Sequence, residues 1–315
     1  MLSKTKLGAL IVMFGALVVI PPILHAIDQP FYLTLASRVM IFAIAALSLD
    51  LILGYGGMVS FGHAAYIGLG AYAVAILGYY EIESGWLQLA VAIVGSAAVA
   101  LVIGAISLRT GGLYFIMITL AFTQMLYFLG ISLETYGGDD GINTDRSVFG
   151  SWLDLDDKTT LYYFILFLLI VCTVIAWRLV NSRFGMVIRG SHSNEQRMQA
   201  IGFPVFRYRL VAFVISGAMC GIAGFLLANL TEFVTPSFMQ WSRSGEIMIM
   251  VLLGGMGSLF GSILGAAAYL LLEDVLSGIT QHWWIIFGPM LVIIVVFAKE
   301  GLWGLLPGRE RLADD

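Results

Sequence analysis

Two glycine-rich stretches interrupt long apolar runs of this sequence, and both carry polar side chains. The first covers residues 54–63 and contains Ser60 and His63, and the second covers residues 254–258 and ends at Ser258. Backbone that is not helical inside a hydrocarbon layer has to be hydrogen-bonded by other protein groups or by water in a cavity. Because paired breaks of this kind are typical of proteins that move solutes across membranes, they predict a translocation path. The residues assigned to this path are Asp50, Gly56, Gly57, Ser60, His63, Thr119, Gln124, Gly254, Gly255, Gly257 and Ser258.

Charged and hydroxyl side chains inside the apolar runs are further candidates. A charge at the bilayer centre costs about 2.5–3.5 kcal/mol, so Asp50, just before the first break, is the stronger functional candidate. Arg38 stands near the other end of the same run, and the alternative for both residues is a position at a membrane interface without a role in transport. Thr119, Thr123 and Gln124 share another run, where they either bond neighbouring helices or line a cavity. Interfacial positions are also predicted for Glu246, Glu273 and Asp274.

Glycines spaced four residues apart have a different interpretation. Gly217 and Gly221 form one such pair, and Gly261 and Gly265 form another. Small residues at this spacing give a helix a flat face, which lets two membrane helices pack closely. We predict that these pairs are packing faces. Helix packing alone, with no translocation path, is also the alternative explanation for the two breaks.

Residues that would support catalysis or metal binding do not cluster along the sequence. The histidines stand singly, and both cysteines lie in apolar runs, where a cysteine acts as a small buried hydrophobic residue. These residues are His25, His63, His192, His282, Cys172 and Cys220. The phosphate-binding pattern G-x-x-x-x-G-K-[ST] is also missing, which excludes ATP hydrolysis by that route. We therefore predict no metal site, no cofactor, no nucleic-acid partner and no enzymatic activity in this chain.

The composition indicates the elements that position these residues. The 315 residues are 60% hydrophobic and 11% charged, with a mean hydropathy of +0.94, whereas a soluble domain carries roughly 25% charged residues. Apolar runs of about 20 residues fit helices that cross a hydrocarbon core about 30 Å thick. The predicted fold is an all-α, polytopic membrane protein of about 9–10 transmembrane helices, with an internal repeat and broken helices.

A single transmembrane domain is predicted over residues 1–315. Its first half covers about 30–180, a loop covers 181–208, and its second half covers about 209–300. Single spans are predicted near 8–26, 33–53, 58–79, 86–107, 112–131, 160–179 and 209–229. The apolar region 245–298 holds two further spans and a half-helix, with a break near 254–258 and a turn near 273–283. Whether the two breaks face the same way or opposite ways is left open by the sequence.

The distribution of basic residues predicts the orientation of the chain. Residues 178–209 contain six arginines and one acid, Glu195, which places this loop in the cytoplasm by the positive-inside rule. Lys4 and Lys6 place the N-terminus on the same side, and an even number of predicted spans separates the two signals. The loop 132–159 is rich in acids and falls on the opposite side.

The basic loop contains a predicted short helix. It runs from Asn194 to Ile201, with Ser193 or Asn194 as its N-cap and Gly202 as its stop before Pro204. A helix of this length is not stable alone in water, so it is expected to pack into a groove of a partner protein.

Several segments of this sequence together resemble a known family. In the loop these are Ser182-Arg183-Phe184-Gly185, Ile188-Arg189, Glu195, Ala200-Ile201-Gly202 and Phe206-Arg207-Tyr208-Arg209-Leu210. In the rest of the chain they are residues 56–70, Gly112-Leu113-Tyr114-Phe115, residues 119–122, Gly137-Gly138 with Gly141, residues 254–265 and Gly301-Leu302-Trp303-Gly304. In this order they resemble bacterial ABC importer permeases for branched-chain amino acids, over nearly the whole chain.

The resemblance implies a multi-subunit importer in the bacterial inner membrane. A second related permease would form a heterodimer with this chain, two cytoplasmic ATPases would bind ATP and Mg, and a periplasmic solute-binding protein would deliver leucine, isoleucine or valine. The residues implied in coupling to the ATPase are Arg189, Glu195, Ala200 and Gly202. Related permeases serve urea, other amides and sugars, so a urea or amide importer is an alternative. A self-sufficient transporter with Asp50 as its ion-coupled group and a structural subunit without transport are two others.

Overall fold

The computed structural model describes residues 13–23, 30–150, 154–280, 282–297 and 301–304. Lys4 and Lys6, which predict the side of the N-terminus, lie outside these ranges, as do the first residues of the predicted first span. Most of the described residues are helical. An all-α, polytopic fold is therefore confirmed.

Thirteen helices follow one another along the described chain. The first six are α1 (Met13–Ile23), α2 (Pro30–Leu53), α3 (His63–Tyr79), α4 (Gly85–Ser107), α5 (Leu113–Ser132) and α6 (Lys158–Val180). The loop contains α7 (Arg183–Ser193) and α8 (Glu195–Ala200). The remaining ones are α9 (Val205–Thr231), α10 (Trp241–Gly254), α11 (Leu259–Ile279), α12 (Trp283–Phe297) and α13 (Gly301–Gly304). Short 3₁₀ helices cover Glu134–Tyr136 and Pro236–Met239, and two strands, β1 (Ile142–Asn143) and β2 (Phe233–Val234), pair antiparallel.

Among the described residues, six helices are long and apolar enough to cross a membrane: α2, α4, α5, α6, α9 and α11. The shorter apolar helices α1 and α3 lie within two of the other predicted spans. The span predicted near 58–79 starts too early, since α3 begins at His63. Residues 58–62 are non-helical because the Ser60 hydroxyl accepts a hydrogen bond from the Gly62 amide, closing a local turn that competes with the helix.

The core lies around α2, which packs against α9, α11 and α6. Ala43, Ile44 and Leu47 of α2 are fully buried. Helices α4 and α5 lie at the periphery, with 28% and 22% of their most apolar windows buried. Their exposed apolar surfaces are suited to lipid or to a neighbouring membrane subunit.

Both breaks lie at the same end of the helix bundle. α2 runs to the first break, α10 runs to the second, and the amide of Gly257 reaches the carboxylate of Asp50. α3 and α11 then lead away from this end. The two breaks therefore face the same way, which the sequence alone leaves open. We call the end of the bundle that holds both breaks the break end.

The opposite end of the bundle is covered by the acidic loop that precedes α6. β1 in this loop pairs with β2, which follows α9. The amide of Ser147 donates to the buried side chain of Asn229 at 2.8 Å, and Arg146 forms an ion pair of 2.6 Å with Glu232. These bonds fix the loop to the outer ends of the helices.

Candidate functional site

Two side chains of α5 form hydrogen bonds to the non-helical backbone of the first break. The Phe61 amide donates to the Thr119 hydroxyl at 3.2 Å, and the Thr123 hydroxyl donates to the Phe61 carbonyl at 3.0 Å. Both threonines are fully buried. The two bonds satisfy the donor and the acceptor of one peptide residue that no helix pairs, which is the requirement for non-helical backbone at membrane depth.

The start of α3 receives a second support from α10. The Ala64 amide, in the first turn of α3, donates to the Ser244 hydroxyl at 2.9 Å. Ser244 is fully buried and lies in the first turn of α10. α3 therefore begins inside the protein, with its unpaired amides bonded by a serine of another broken segment.

The second break is a tight turn between α10 and α11. Gly255 and Gly257 both have positive φ, and the Ser258 hydroxyl caps α11 by accepting from the Gly261 amide at 3.2 Å. Gly254 lies at the end of α10 and is buried. α13 packs on this turn, since a Cβ on Gly301 would overlap the backbone of Gly255.

The two breaks touch each other at Asp50. This carboxylate is fully buried in the last turn of α2 and accepts from the Gly257 amide at 2.8 Å. Gly54 has no room for a Cβ, because it would overlap the amide nitrogen of Gly257. Asp50 therefore bridges the end of α2 to the turn that begins α11.

The loop helices lie against the first break. The imidazole of His192, at the end of α7, occupies the space beside Gly57, where a Cβ would lie 2.7 Å from Nε2. Gly57 has a φ of +65°, a conformation that L side chains rarely adopt. Gly56 is buried and packs against the Ile52 carbonyl. Movement of α7 would therefore press directly on the backbone of the break.

The loop helices are also tied to the membrane helices. The Arg209 guanidinium, on α9, pairs with Glu195 of α8 at 2.6 Å and donates to the Ser191 carbonyl of α7 at 2.9 Å. Arg189 of α7 donates to the Val180 carbonyl, at the end of α6, at 3.1 Å. One arginine on each side thus connects α7 and α8 to the ends of α6 and α9.

α8 is the helix that the sequence predicts in the loop. The Asn194 side chain caps it by accepting from the Arg197 amide at 2.9 Å, and Gly202 ends the turn with a φ of +96°. Ala200 and the other residues of α8 are exposed or half-buried. Its outer surface is therefore open to a partner, while Glu195 is already paired within this chain.

Two predicted path residues lie elsewhere. His63 is fully buried between α2, α3 and α9, where its Nε2 lies 2.7 Å from the Ser216 hydroxyl. That hydroxyl donates to the Ser48 carbonyl, so the imidazole is the donor in the His63–Ser216 bond. Gln124 is half-buried on α5. Neither residue takes part in the contact between the two breaks at Asp50 and Gly257.

The glycine pairs lie at helix crossings. A Cβ on Gly265 would overlap the Met250 carbonyl, and one on Gly261 would lie 2.6 Å from the Gly254 carbonyl, where α11 crosses α10. On α9, Gly217 faces Ala100 and Gly221 faces Ser96 of α4. In the part of the chain that the structure describes, no group of three His, Cys, Asp or Glu side chains is placed to hold a metal ion.

Sequence reasoning missed α7 and the residues that connect it to the breaks. Its signal is present: Ser182 can cap a helix, and the buried residues Val187, Ile188 and Ser191 follow helical spacing. The roles of His192 and Arg209 have no local signal, since each depends on a contact with a distant segment.

The family model described as "Branched-chain amino acid transport system / permease component" matches residues 31–296, which include both breaks and the loop helices. The chain belongs to this family. It is 28% identical, over 85% of its length and 69% of the relative's, to the high-affinity branched-chain amino acid transport system permease protein LivM of Salmonella typhimurium.

Two further relatives show how far the similarity extends. The probable branched-chain amino acid transport permease protein LivM of Methanocaldococcus jannaschii is 25% identical, over 83% of this chain and 90% of its own. The autoinducer 2 import system permease protein LsrC of Escherichia coli is 27% identical over 42% of this chain and 41% of its own. The long matches are thus to permeases named for branched-chain amino acids.

Proposed function

We propose that this chain is a transmembrane subunit of an ABC importer that carries leucine, isoleucine and valine across the bacterial inner membrane. In this proposal it pairs with a second permease, two ATPases bind the cytoplasmic loop, and a periplasmic binding protein delivers the amino acid. The break end, with α7 and α8, then faces the cytoplasm, as does the N-terminus. Family membership and the relatives named for branched-chain amino acids support the substrate class.

The observation that carries the proposal is a continuous set of contacts from the loop to both breaks. Glu195 of α8 pairs with Arg209, which also bonds Ser191 of α7. His192 of α7 packs on the first break at Gly57, and Asp50 bonds that region to the second break. A displacement of α8 by an ATPase would therefore reach both breaks through packed groups.

The breaks are suited to respond to such a displacement. Turns with positive-φ glycines move by changing a few backbone angles, whereas continuous helices move as rigid bodies. In the proposed cycle, ATP-driven closure of the ATPases shifts α7 and α8, the breaks rotate, and the path opens on the other side. This chain supplies moving backbone, and the ATPases supply the energy.

Reconstitution tests the proposal. The chain is purified with its partner permease and ATPases, placed in liposomes, and given the binding protein and radiolabelled leucine. Uptake is expected to need ATP and all subunits, and to continue in the presence of an ionophore. Uptake by this chain alone that collapses with an ionophore would establish the ion-coupled alternative instead.

The same system separates the substrate alternatives. Excess unlabelled isoleucine or valine is expected to compete with leucine, while excess urea leaves leucine uptake unchanged. ATP-driven uptake of urea but of none of the three amino acids would contradict the assigned substrate class and leave the importer mechanism standing.

A further inference from the structure

Charged side chains on three membrane helices meet in one cluster away from the breaks. On α2, Arg38 lies 3.7 Å from Glu273 of α11, and on α10 Arg243 pairs with Glu246 at 2.8 Å. Tyr269 precedes Glu273 by about one turn on α11, and α2, α10 and α11 pack against one another. These five residues are called the charged cluster below.

The charged cluster lies at membrane depth. At about 1.5 Å per residue, Arg38, Arg243 and Glu273 are roughly 16–22 Å along their helices from the break end. The hydrocarbon core is about 30 Å thick, so the cluster falls in the half of the membrane remote from the breaks. An interfacial position, which the sequence predicts for Arg38, Glu246 and Glu273, does not require charges from three different helices to meet.

The charges are partly open and are balanced in sign. The Arg38 and Arg243 side chains are 39% and 35% exposed, and those of Glu273 and Glu246 are 24% and 15% exposed. Charges left facing lipid at this depth are expensive, so this face needs a polar occupant. The 3.7 Å separation of Arg38 and Glu273 exceeds the length of a direct charge-assisted hydrogen bond, about 2.7–2.9 Å. These two charges attract each other without a direct bond.

Tyr269 provides a second, independent observation. Its side chain is 1% exposed, and its hydroxyl has no hydrogen-bond partner among the described residues. A buried hydroxyl without a partner loses about 1–3 kcal/mol relative to a bonded one. Tyr269 lies one helical turn from Glu273, so a small polar ligand at the cluster would give its hydroxyl a hydrogen-bond partner.

We propose that the charged cluster binds the zwitterionic head group of the amino acid during its passage. The arginines face the carboxylate of the substrate, and the glutamates face its ammonium group. A dipolar ligand matches two cations and two anions, whereas a free anion or a free cation matches only half of the cluster. The loose Arg38–Glu273 pair suits a site that has to bind the substrate and then release it.

The test separates a site for substrate from a pair that only stabilises the fold. This inference rests on the proposed function, so the wild-type importer has to show ATP-driven leucine uptake first. The double variant Arg38→Glu with Glu273→Arg keeps the attraction between the two helices but reverses the charges presented to the substrate. We expect it to assemble with its partners and to take up leucine roughly tenfold more slowly, the factor for one lost charge-assisted contact.

Glu246→Gln is the second variant, since it neutralises one charge within a single helix and leaves the α2–α11 pair intact. It is also expected to assemble and to slow uptake roughly tenfold. Uptake within twofold of wild type in the charge-swapped variant would overturn the inference. So would a swapped variant that fails to co-purify while Glu246→Gln transports normally, because the cluster would then belong to a subunit interface. A wild-type importer without amino-acid uptake refutes the proposed function instead.

Discussion

Replacement of Asp50 tests the bridge between the two breaks. Its carboxylate is fully buried and accepts the Gly257 amide at 2.8 Å. Asp50→Ala removes the acceptor and leaves that amide unpaired. Asp50→Asn keeps an oxygen that can accept the same bond, and replaces the other carboxylate oxygen with an uncharged NH₂ group.

The expected magnitudes differ between the two variants. An unsatisfied buried amide costs about 1–3 kcal/mol, so Asp50→Ala should lower the free energy of unfolding by that amount and loosen the contact between the breaks. The Asn variant exchanges a charge-assisted bond for a neutral one, which is roughly half as strong. Its loss should stay within about 1 kcal/mol. Leucine uptake should therefore fall strongly in Asp50→Ala and mildly in Asp50→Asn.

The assay measures thermal unfolding in detergent and ATP-driven uptake in liposomes for both variants. Ser37→Ala is the control, because Ser37 lies buried on the same helix and its hydroxyl bonds only the Leu33 carbonyl of α2. Equal losses in the Ala and Asn variants would refute the bridging role. In that case the charge of Asp50 would matter, as the ion-coupled alternative requires.

Three further predictions concern the contacts around the breaks. Gly57→Ala should slow uptake much more than Gly150→Ala does. Both positions have positive φ, which costs an alanine about 1–2 kcal/mol, but of the two only Gly57 faces a side chain, that of His192. Thr123→Val should lower the free energy of unfolding by about 1–2 kcal/mol and reduce uptake, since the Phe61 carbonyl loses its donor. Arg209→Ala should uncouple ATP hydrolysis from uptake with a loss of at most about 1 kcal/mol in stability, because its ion pair with Glu195 is partly exposed.

Matched controls distinguish these effects from general damage. His192→Ala should restore part of the uptake of Gly57→Ala, and no restoration would mean that the α7 contact carries no coupling. Thr173→Val removes a buried hydroxyl that bonds only its own helix, at the Leu169 carbonyl, and should leave uptake unchanged. Arg207→Ala removes an exposed charge near Arg209. Equal uncoupling in the two arginine variants would count against the specific role of Arg209.

The helices could largely be predicted from the sequence, since each membrane span corresponds to one continuous apolar run. Predicted ends near 53, 107 and 179 lie at or within one residue of the observed helix ends. The start of α3 was missed because residues 58–62 are as apolar as a span, and hydropathy does not report a serine that bonds its own backbone. Local chemistry, rather than polarity, sets that boundary.

The partners of the breaks could not be predicted from the sequence. Glycine and serine patterns show that the helix is interrupted, but Thr119 and Thr123 are remote in sequence from the backbone that they bond. Thr119 was assigned to the path, and its hydroxyl bonds to the Phe61 amide and the Ile116 carbonyl. His63 looked polar in an apolar run, yet its bond with Ser216 of α9 lets it lie in the core. Such pairings depend on which helices become neighbours, and a single sequence does not state this.

The positions of the breaks and of the charged cluster support separate roles for them, in coupling and in substrate binding. Asp50 and the breaks lie at the end of the bundle that carries α7 and α8, whereas Arg38, Arg243 and Glu273 lie roughly 16–22 Å away along the same helices. α2, α10 and α11 each contribute to both regions. A shift that starts at the breaks therefore moves these three helices relative to one another and changes the spacing of the charges at their other ends. In the proposed cycle, this linkage weakens binding of the substrate when the loop helices move.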